Sequence, residues 1–267
     1  MHQTDTVDHG RTIDWGSTSK DYAEYRPDPP HSFFARLRAL GVGLPGQRIL
    51  DLGTGTGALA RAFAAQGAQV TGTDIAEGQI EAAREMAREQ GLEIRFETAP
   101  SEEIPFPQSS FDIVTANQCW LYFDLARTIP EVLRVLDEGG LLVTSHFSFL
   151  PRLDPVVRAS EKLVLEYNPH WDGANWNGRI PAHPRWSRDD FTLRAMFFYD
   201  EAIPFTRDSW RGRIRALRGI GATLSPEEVA SFDREHAQLL ARSVPERFAI
   251  LHRIDAHFFQ PGVQARD

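Results

Sequence analysis

The sequence predicts an α/β protein: a doubly wound, mostly parallel sheet with helices on both faces and an inserted cap. Three observations carry that prediction. From Arg48 to about residue 147, apolar runs of strand length alternate with stretches of helical period. The first run opens "ILDLGTGTGALA", residues 49–60, where Gly53, Gly55 and Gly57 interrupt it before a helix begins. At Ser148 the rhythm stops, and tryptophans and prolines follow with no clear period up to about residue 196.

Taken in order, residues 1 to about 20 read as a loose polar arm. An aromatic segment, a proline turn and a helix with Phe34, Leu37 and Leu40 at helical spacing come next. Ile49 to Leu52 reads as strand, Ala58 to Gln66 as helix and Ala68 to Asp74 as strand. A helix follows with Ile80, Ala83 and Ala87 on one face. Strands are predicted at Glu93 to Thr98 and Phe111 to Ala116, then a helix carrying Ala126, Ile129, Leu133 and Leu136, then a buried strand in "GGLLVTSHF". Beyond the irregular stretch, "FFYDEAIPF" resumes the sheet, helices are predicted at about 207–219 and 226–241, and "RFAILHRIDAHFF" alternates like a last strand. Ser225-Pro226-Glu227-Glu228 is a helix start signal, with Ser as cap, Pro in the first turn and Glu three residues on. The chain divides accordingly into an arm and helix (1–45), a core (46–147), a cap (148–200) and a segment completing the sheet (201–267).

The 267 residues, 42% hydrophobic and 25% charged, suit one large domain or one domain with an insertion. No apolar run is long enough for a bilayer span, and the polar N-terminus lacks a signal-peptide pattern. A single cysteine excludes an intrachain disulfide framework and fits the cytoplasm. A net charge of −8 argues against nucleic acid and anionic membrane as partners. No spacing among His, Cys, Asp and Glu argues for a metal.

Glycine permits tight turning and leaves no Cβ between backbone and ligand, so the three glycines suit either a plain strand-to-helix turn or an anion-receptive loop. Asp74 ends the second strand about 20 residues on, where an acid takes up ribose hydroxyls in nucleotide-binding sheets. Adenosine recognition follows from this, but not the choice between a dinucleotide and a sulfonium cofactor. A short-chain dehydrogenase needs Tyr and Lys four apart. Residues 16 and 158, four before the only lysines Lys20 and Lys162, are Gly and Arg.

With these motifs in place the chain resembles class I S-adenosylmethionine-dependent methyltransferases. "ILDLGTGTGALA" resembles their first motif, "VTGTDIAEGQIEAAR" the second, "APSEEIPFPQSSFDIVTANQCWLYF" the third and fourth, and "LRVLDEGGLLVTSHF" the helix and strand that follow. "DWGSTSKDYAEYRP" resembles the small-molecule branch that includes ubiquinone-biosynthesis and trans-aconitate-type enzymes. The resemblance implies a Rossmann-like methyltransferase fold, S-adenosyl-L-methionine as cofactor and a small-molecule methyl acceptor. It also implies roles for particular residues. Asp51, Gly53, Thr54, Gly55 and Gly57 hold the methionine portion, Asp74 the ribose hydroxyls, and Ile75 packs on adenine. Pro100-Ser101-Glu102 stands where an Asp-Ala-Glu-type run brackets adenine, so Ser101 and Glu102 take that position. Asn117 and Gln118 face the methyl-bearing end.

Tyr22, Tyr25 and Arg26 precede the first strand, and such a segment either folds over the cofactor, tyrosine rings against the sulfonium, or packs as an aromatic stripe on the core. A base is needed only if the nucleophile carries a proton. Tyr122 and His146 are the candidates near the strand ends, with His170 or His183 from the cap. Trp171, Trp176 and Trp186 are candidates to line an acceptor pocket. Arg211 and Arg215, in "RDSWRGRIRALRG", form either a solvated helix face or a fork for an acidic acceptor. Cys119 reads as a packed thiol. The reading that competes with an enzyme is a non-catalytic adenosylmethionine-binding module acting through a partner protein. The acceptor, its nucleophilic atom and the oligomeric state are not legible.

Overall fold

The computed structural model describes residues 7–8, 11–12, 21 and 24–262. Its centre is strand β1 (Arg48–Leu52), whose Ile49, Leu50 and Leu52 are wholly buried, as expected for a strand covered on both faces. Glycine-turned α2 (Ala58–Ala65) leads to β2 (Gln69–Asp74), and α3 (Glu77–Glu89) leads to β3 (Arg95–Thr98). The chain then crosses to the other side of β1 as β4 (Phe111–Asn117), and α4 (Leu125–Val135) joins it to β5 (Leu136–Phe149). A long hairpin-like pair, β6 (Phe191–Thr206) and β7 (Arg247–Pro261), completes a seven-stranded sheet in the order β3-β2-β1-β4-β5-β7-β6. All pairings are parallel except the two made by β7. β1 lies between β2 and β4, so the chain reverses its winding there and opens a crevice at the carboxyl ends of these strands. Val7–Asp8 and Arg11–Thr12 form a separate small antiparallel pair.

Period-two alternation splits the core into two layers. Ile49, Phe63, Ile80, Phe147, Trp210, Phe232 and Phe258 pack on one face, with helix α1 (His31–Ala39) contributing Phe33 and Leu37. Leu50, Leu52, Val114, Trp120, Val132, Leu142 and Phe259 pack on the other. The predicted face of α1 is rotated slightly: Leu40 ends the helix 42% exposed, and Phe33 takes the buried place.

The stretch after Ser148 is less irregular than its sequence predicts. Pro155–Tyr167 is a helix, α5, capped by Asp154, whose carboxylate accepts from Val156 N at 2.8 Å and Val157 N at 3.2 Å. Its buried stripe contains Ser160 and Glu161 besides Val157 and Val164, and those two polar residues erase the apolar period. Helices α6 (Arg207–Arg215) and α7 (Pro226–Ser243) lie between β6 and β7. The predicted capping box at α7 is present, with Ser225 N donating to Glu228 Oε2 at 2.8 Å and Glu228 N to Ser225 Oγ at 3.3 Å. No helix of the described residues is long and apolar enough to cross a membrane.

Candidate functional site

The loop after β1 is built from left-handed backbone: φ is +59° at Gly53, +56° at Gly55 and +80° at Gly57. Two of these glycines are also required by packing. A Cβ on Gly53 would lie 2.8 Å from the Cys119 side chain, and one on Gly57 3.0 Å from the Phe96 ring. Gly55 differs. Among the described residues the nearest atom to its notional Cβ, chain neighbours aside, is Gln79 Oε1 at 4.0 Å, so they leave that side of the loop open.

Polar groups fix the loop from behind. Asp51 on β1 is buried and accepts from Thr54 Oγ1 at 2.6 Å and Thr115 Oγ1 at 2.7 Å. Burial pushes its carboxyl up to about 6, against the lowering effect of those two bonds. Arg61, buried on α2, donates to the carbonyl of Thr56 and pairs with Asp28 at 3.5 Å. Asp74 at the end of β2 accepts from Gly55 N at 2.9 Å and Ala76 N at 2.9 Å, which ties the two strand ends together. Beside it Ile75 stands 75% exposed, a large apolar side chain on the open rim of the crevice.

The far wall comes from the loops after β3 and β4. Ser101 is buried against Thr128, Oγ to Oγ1 at 3.2 Å, and Glu102 accepts from Asp124 N at 2.8 Å, so both brace the start of α4. Asn117 accepts from Ser145 Oγ at 3.0 Å. Gln118, at φ +67°, gives its backbone N–H to Ser145 O at 2.9 Å and its side-chain amide to Phe147 O. Cys119 is packed as predicted, its Sγ donating to Leu52 O at 3.1 Å, and burial raises its thiol well above the ordinary value. Tyr122 is 54% exposed. His146 follows Ser145 on β5 and faces Asp255 across the β5–β7 pair.

The structure therefore gathers Asp51, Gly53, Thr54, Gly55, Gly57, Asp74, Ile75, Asn117 and Gln118 around one crevice, with Ser101 and Glu102 behind its rim. Tyr22 lies outside the described residues. Tyr25 rests on α6, its ring over Gly212 and 5.6 Å from the Arg215 guanidinium. The three cap tryptophans do not share one cavity wall. Trp186 packs in the second core layer, 4.9 Å from Trp120 and 5.0 Å from Phe259. Trp171 donates to Glu161 Oε2 at 2.6 Å and covers Gly219. Trp176 is half-buried, beyond the short helical turn Gly173–Asn175. Arg211 and Arg215 both hold Asp233, and Arg215 also forks onto Asp21 at 2.8 and 3.0 Å. Arg61 and Thr115 escaped the sequence reading. A charged residue on the inward face of α2 was the available signal for the first. The second shows only in the cross-strand register Asp51↔Thr115.

A doubly wound sheet with a glycine loop and a strand-end acid at its switch point defines a Rossmann-like α/β protein. Within it, residues 50–144 match a family model described as a methyltransferase domain, and the fold is Rossmann-like, as in the solved methyltransferases it resembles. The chain is 37% identical over 175 residues to the methyltransferase YcgJ of Bacillus subtilis, covering 61% of this chain and 63% of that one. It is 41% identical over 122 residues to a demethylmenaquinone methyltransferase of Thermus thermophilus, covering 44% and 56%. The chain thus spans less than two thirds of the length of either relative. Among solved structures, a putative type II methyltransferase from Anaeromyxobacter dehalogenans superposes with a TM-score of 0.59 at 22% identity, covering 89% of this chain and 98% of that one. The YcgJ crystal structure superposes with a TM-score of 0.51 at 22% identity, covering 87% and 100%.

Proposed function

We propose that this protein transfers a methyl group from S-adenosyl-L-methionine to a small-molecule acceptor. The observation that carries the reading is the loop at Gly55. It has left-handed backbone that the described residues leave uncovered, joined by one hydrogen bond to Asp74, with Ile75 exposed beside it. These residues fit the cofactor. Asp51, Gly53, Thr54, Gly55 and Gly57 would hold its methionine portion, Asp74 its ribose and Ile75 its adenine, with Ser101 and Glu102 near the adenine edge and Asn117 and Gln118 at the reacting end. The cofactor supplies an activated methyl on a cationic sulfur, so the chain has to align the acceptor and exclude water.

Arg211 and Arg215 already answer carboxylates of the chain itself, which favours them as ties for the segment around Asp21 and Tyr25 over a fork for the acceptor. Neutral and aromatic acceptors therefore rank with acidic ones. The test is turnover measured by mass spectrometry against phenols, carbon acids, amines and thiols. Adenosylhomocysteine formation that depends on an acceptor supports the reading; cofactor binding with no turnover in the presence of any class of acceptor contradicts it.

A further inference from the structure

Asp255 is the odd group in the sheet. It sits on β7 fully buried; among the described residues one carboxylate oxygen, Oδ1, has no hydrogen-bond partner, and no Arg or Lys is paired with it. What it holds are imidazoles. Its Oδ2 lies 3.2 Å from His146 Nδ1 and 3.6 Å from His257 Nδ1. Burial works to raise its carboxyl, yet the bonds and charges of the two histidines hold it below the ordinary value. A buried carboxylate with no Arg or Lys partner is costly, and an uncharged residue of similar shape would serve as a mere spacer between β5 and β7.

The geometry settles which nitrogen of His146 is available. A carboxylate can only accept, so His146 Nδ1 carries a proton, and in the neutral imidazole Nε2 then bears the lone pair. No hydrogen bond to Nε2 is present among the described residues, and the side chain is 35% exposed although its partner is buried. His146 stands one residue beyond Ser145, which binds both Asn117 and Gln118 at the reacting end of the crevice. His257 is anchored separately, its Nε2–H donating to the Pro181 carbonyl of the cap at 2.9 Å. The other charged group nearby on β7, Arg253, is held by Asp200 at 2.7 Å.

Resting on the methyl-transfer reading, we infer that Asp255 is a positioning residue that presents His146 Nε2 as a general base, and that the acceptor's nucleophile carries a proton at pH 7. The class is a phenol, another hydroxyl compound or an acidic carbon. His146 Nε2 takes the proton from the O–H or C–H. The freed electron pair bonds to the methyl carbon while the carbon–sulfur pair returns to sulfur, leaving imidazolium and a neutral thioether. A positioned base of this kind contributes about 10²–10⁴ in rate.

The probes are phenol, catechol and acetylacetone, against nicotinamide and dimethyl sulfide, whose nucleophiles carry no proton at pH 7. Wild-type protein is expected to methylate at least one of the first three. On that probe His146→Gln lowers kcat by 100-fold or more and Asp255→Asn by about tenfold or more, with adenosylhomocysteine affinity within twofold of wild type for both. Added imidazole restores part of the turnover to His146→Gly, which a structural role would not allow. Independently of activity, nitrogen-15 spectra of the imidazole place the His146 proton on Nδ1 in wild type and move it towards Nε2 in Asp255→Ala. The inference is overturned by methylation of nicotinamide or dimethyl sulfide alone, by no turnover of any proton-bearing probe, by His146→Gln retaining half the wild-type rate, or by a wild-type proton on Nε2. Absence of adenosylhomocysteine binding removes the methyl-transfer reading itself, and this inference with it.

Discussion

Two aspartates stand at the carboxyl ends of adjacent strands, and their environments give them different work. Asp74 is open to the crevice and spends one oxygen on Gly55 N and the other on Ala76 N. On the proposed function, replacing it with Ala unties the loop and leaves the cofactor's ribose hydroxyls unanswered. Hydrogen bonds to a charged group are worth roughly 1.5–3 kcal/mol, so adenosylmethionine affinity measured by calorimetry is expected to fall at least tenfold while the melting transition stays cooperative. Unchanged affinity would reduce Asp74 to a loop tie. Asp51 is buried, and that burial pushes its carboxyl up to about 6, above the ordinary value. A raised carboxyl contributes stability that is full at low pH and lost as pH rises through the folded value. Asp51→Asn is therefore expected to melt above wild type at pH 8, by roughly 2–4 °C per kcal/mol relieved, and level with it at pH 4. It should also bind the cofactor more weakly. Equal melting points at pH 8 would show that the Thr54 and Thr115 bonds already offset the burial. Both aspartates were legible in sequence because they flank glycines at fixed spacing. Thr115 and Asp255 were not, since only the pairing of strands 64 and 109 residues apart reveals them.

At the scale of elements, α6 shows how a surface pattern conceals distant partners. Its arginines resemble a ligand fork because Asp233 and Asp21, their partners, lie 18 and 194 residues from Arg215. The glycine between them matters as much. A Cβ on Gly212 would come within 2.1 Å of the Tyr25 ring, so the helix is notched to seat the segment before β1. Gly212→Ala is expected to unseat Tyr25 and raise protease cleavage near Arg26 while leaving the β-sheet signal of circular dichroism unchanged. If the segment covers the crevice, adenosylmethionine affinity falls several-fold as well; an unchanged cleavage rate would mean that Tyr25 repacks elsewhere. The α5 helix was hidden for the converse reason. Its inward face includes Ser160, bonded to Trp210 Nε1 at 3.0 Å and His236 Nε2 at 2.9 Å, and Glu161, bonded to Trp171, so an apolar count saw no stripe where a polar one is buried. The β-α alternation was legible because its strands are apolar throughout and its helices are amphipathic.

For the molecule as a whole, the fold supplies a crevice at the β1–β4 reversal, and the chemistry follows from what lines it. The parallel half of the sheet, which carries the glycine loop and both aspartates, is the part that local sequence encodes most directly. The β6–β7 pair and the segments around it depend on contacts between distant residues. The central claim, a cofactor cradle open at Gly55, is tested most directly by titrating adenosylmethionine, adenosylhomocysteine and NADH calorimetrically into wild type and Gly55→Asn. Asparagine tolerates left-handed backbone better than other side chains, and among the described residues beyond its chain neighbours none comes closer to the notional Cβ than Gln79 Oε1 at 4.0 Å. The substitution should leave the melting temperature within a few degrees of wild type. Micromolar-range binding of both adenosyl compounds to wild type, no binding of NADH, and loss of adenosyl binding in Gly55→Asn are the expected results. NADH binding without adenosylmethionine binding, or undiminished affinity in a folded Gly55→Asn, would contradict it.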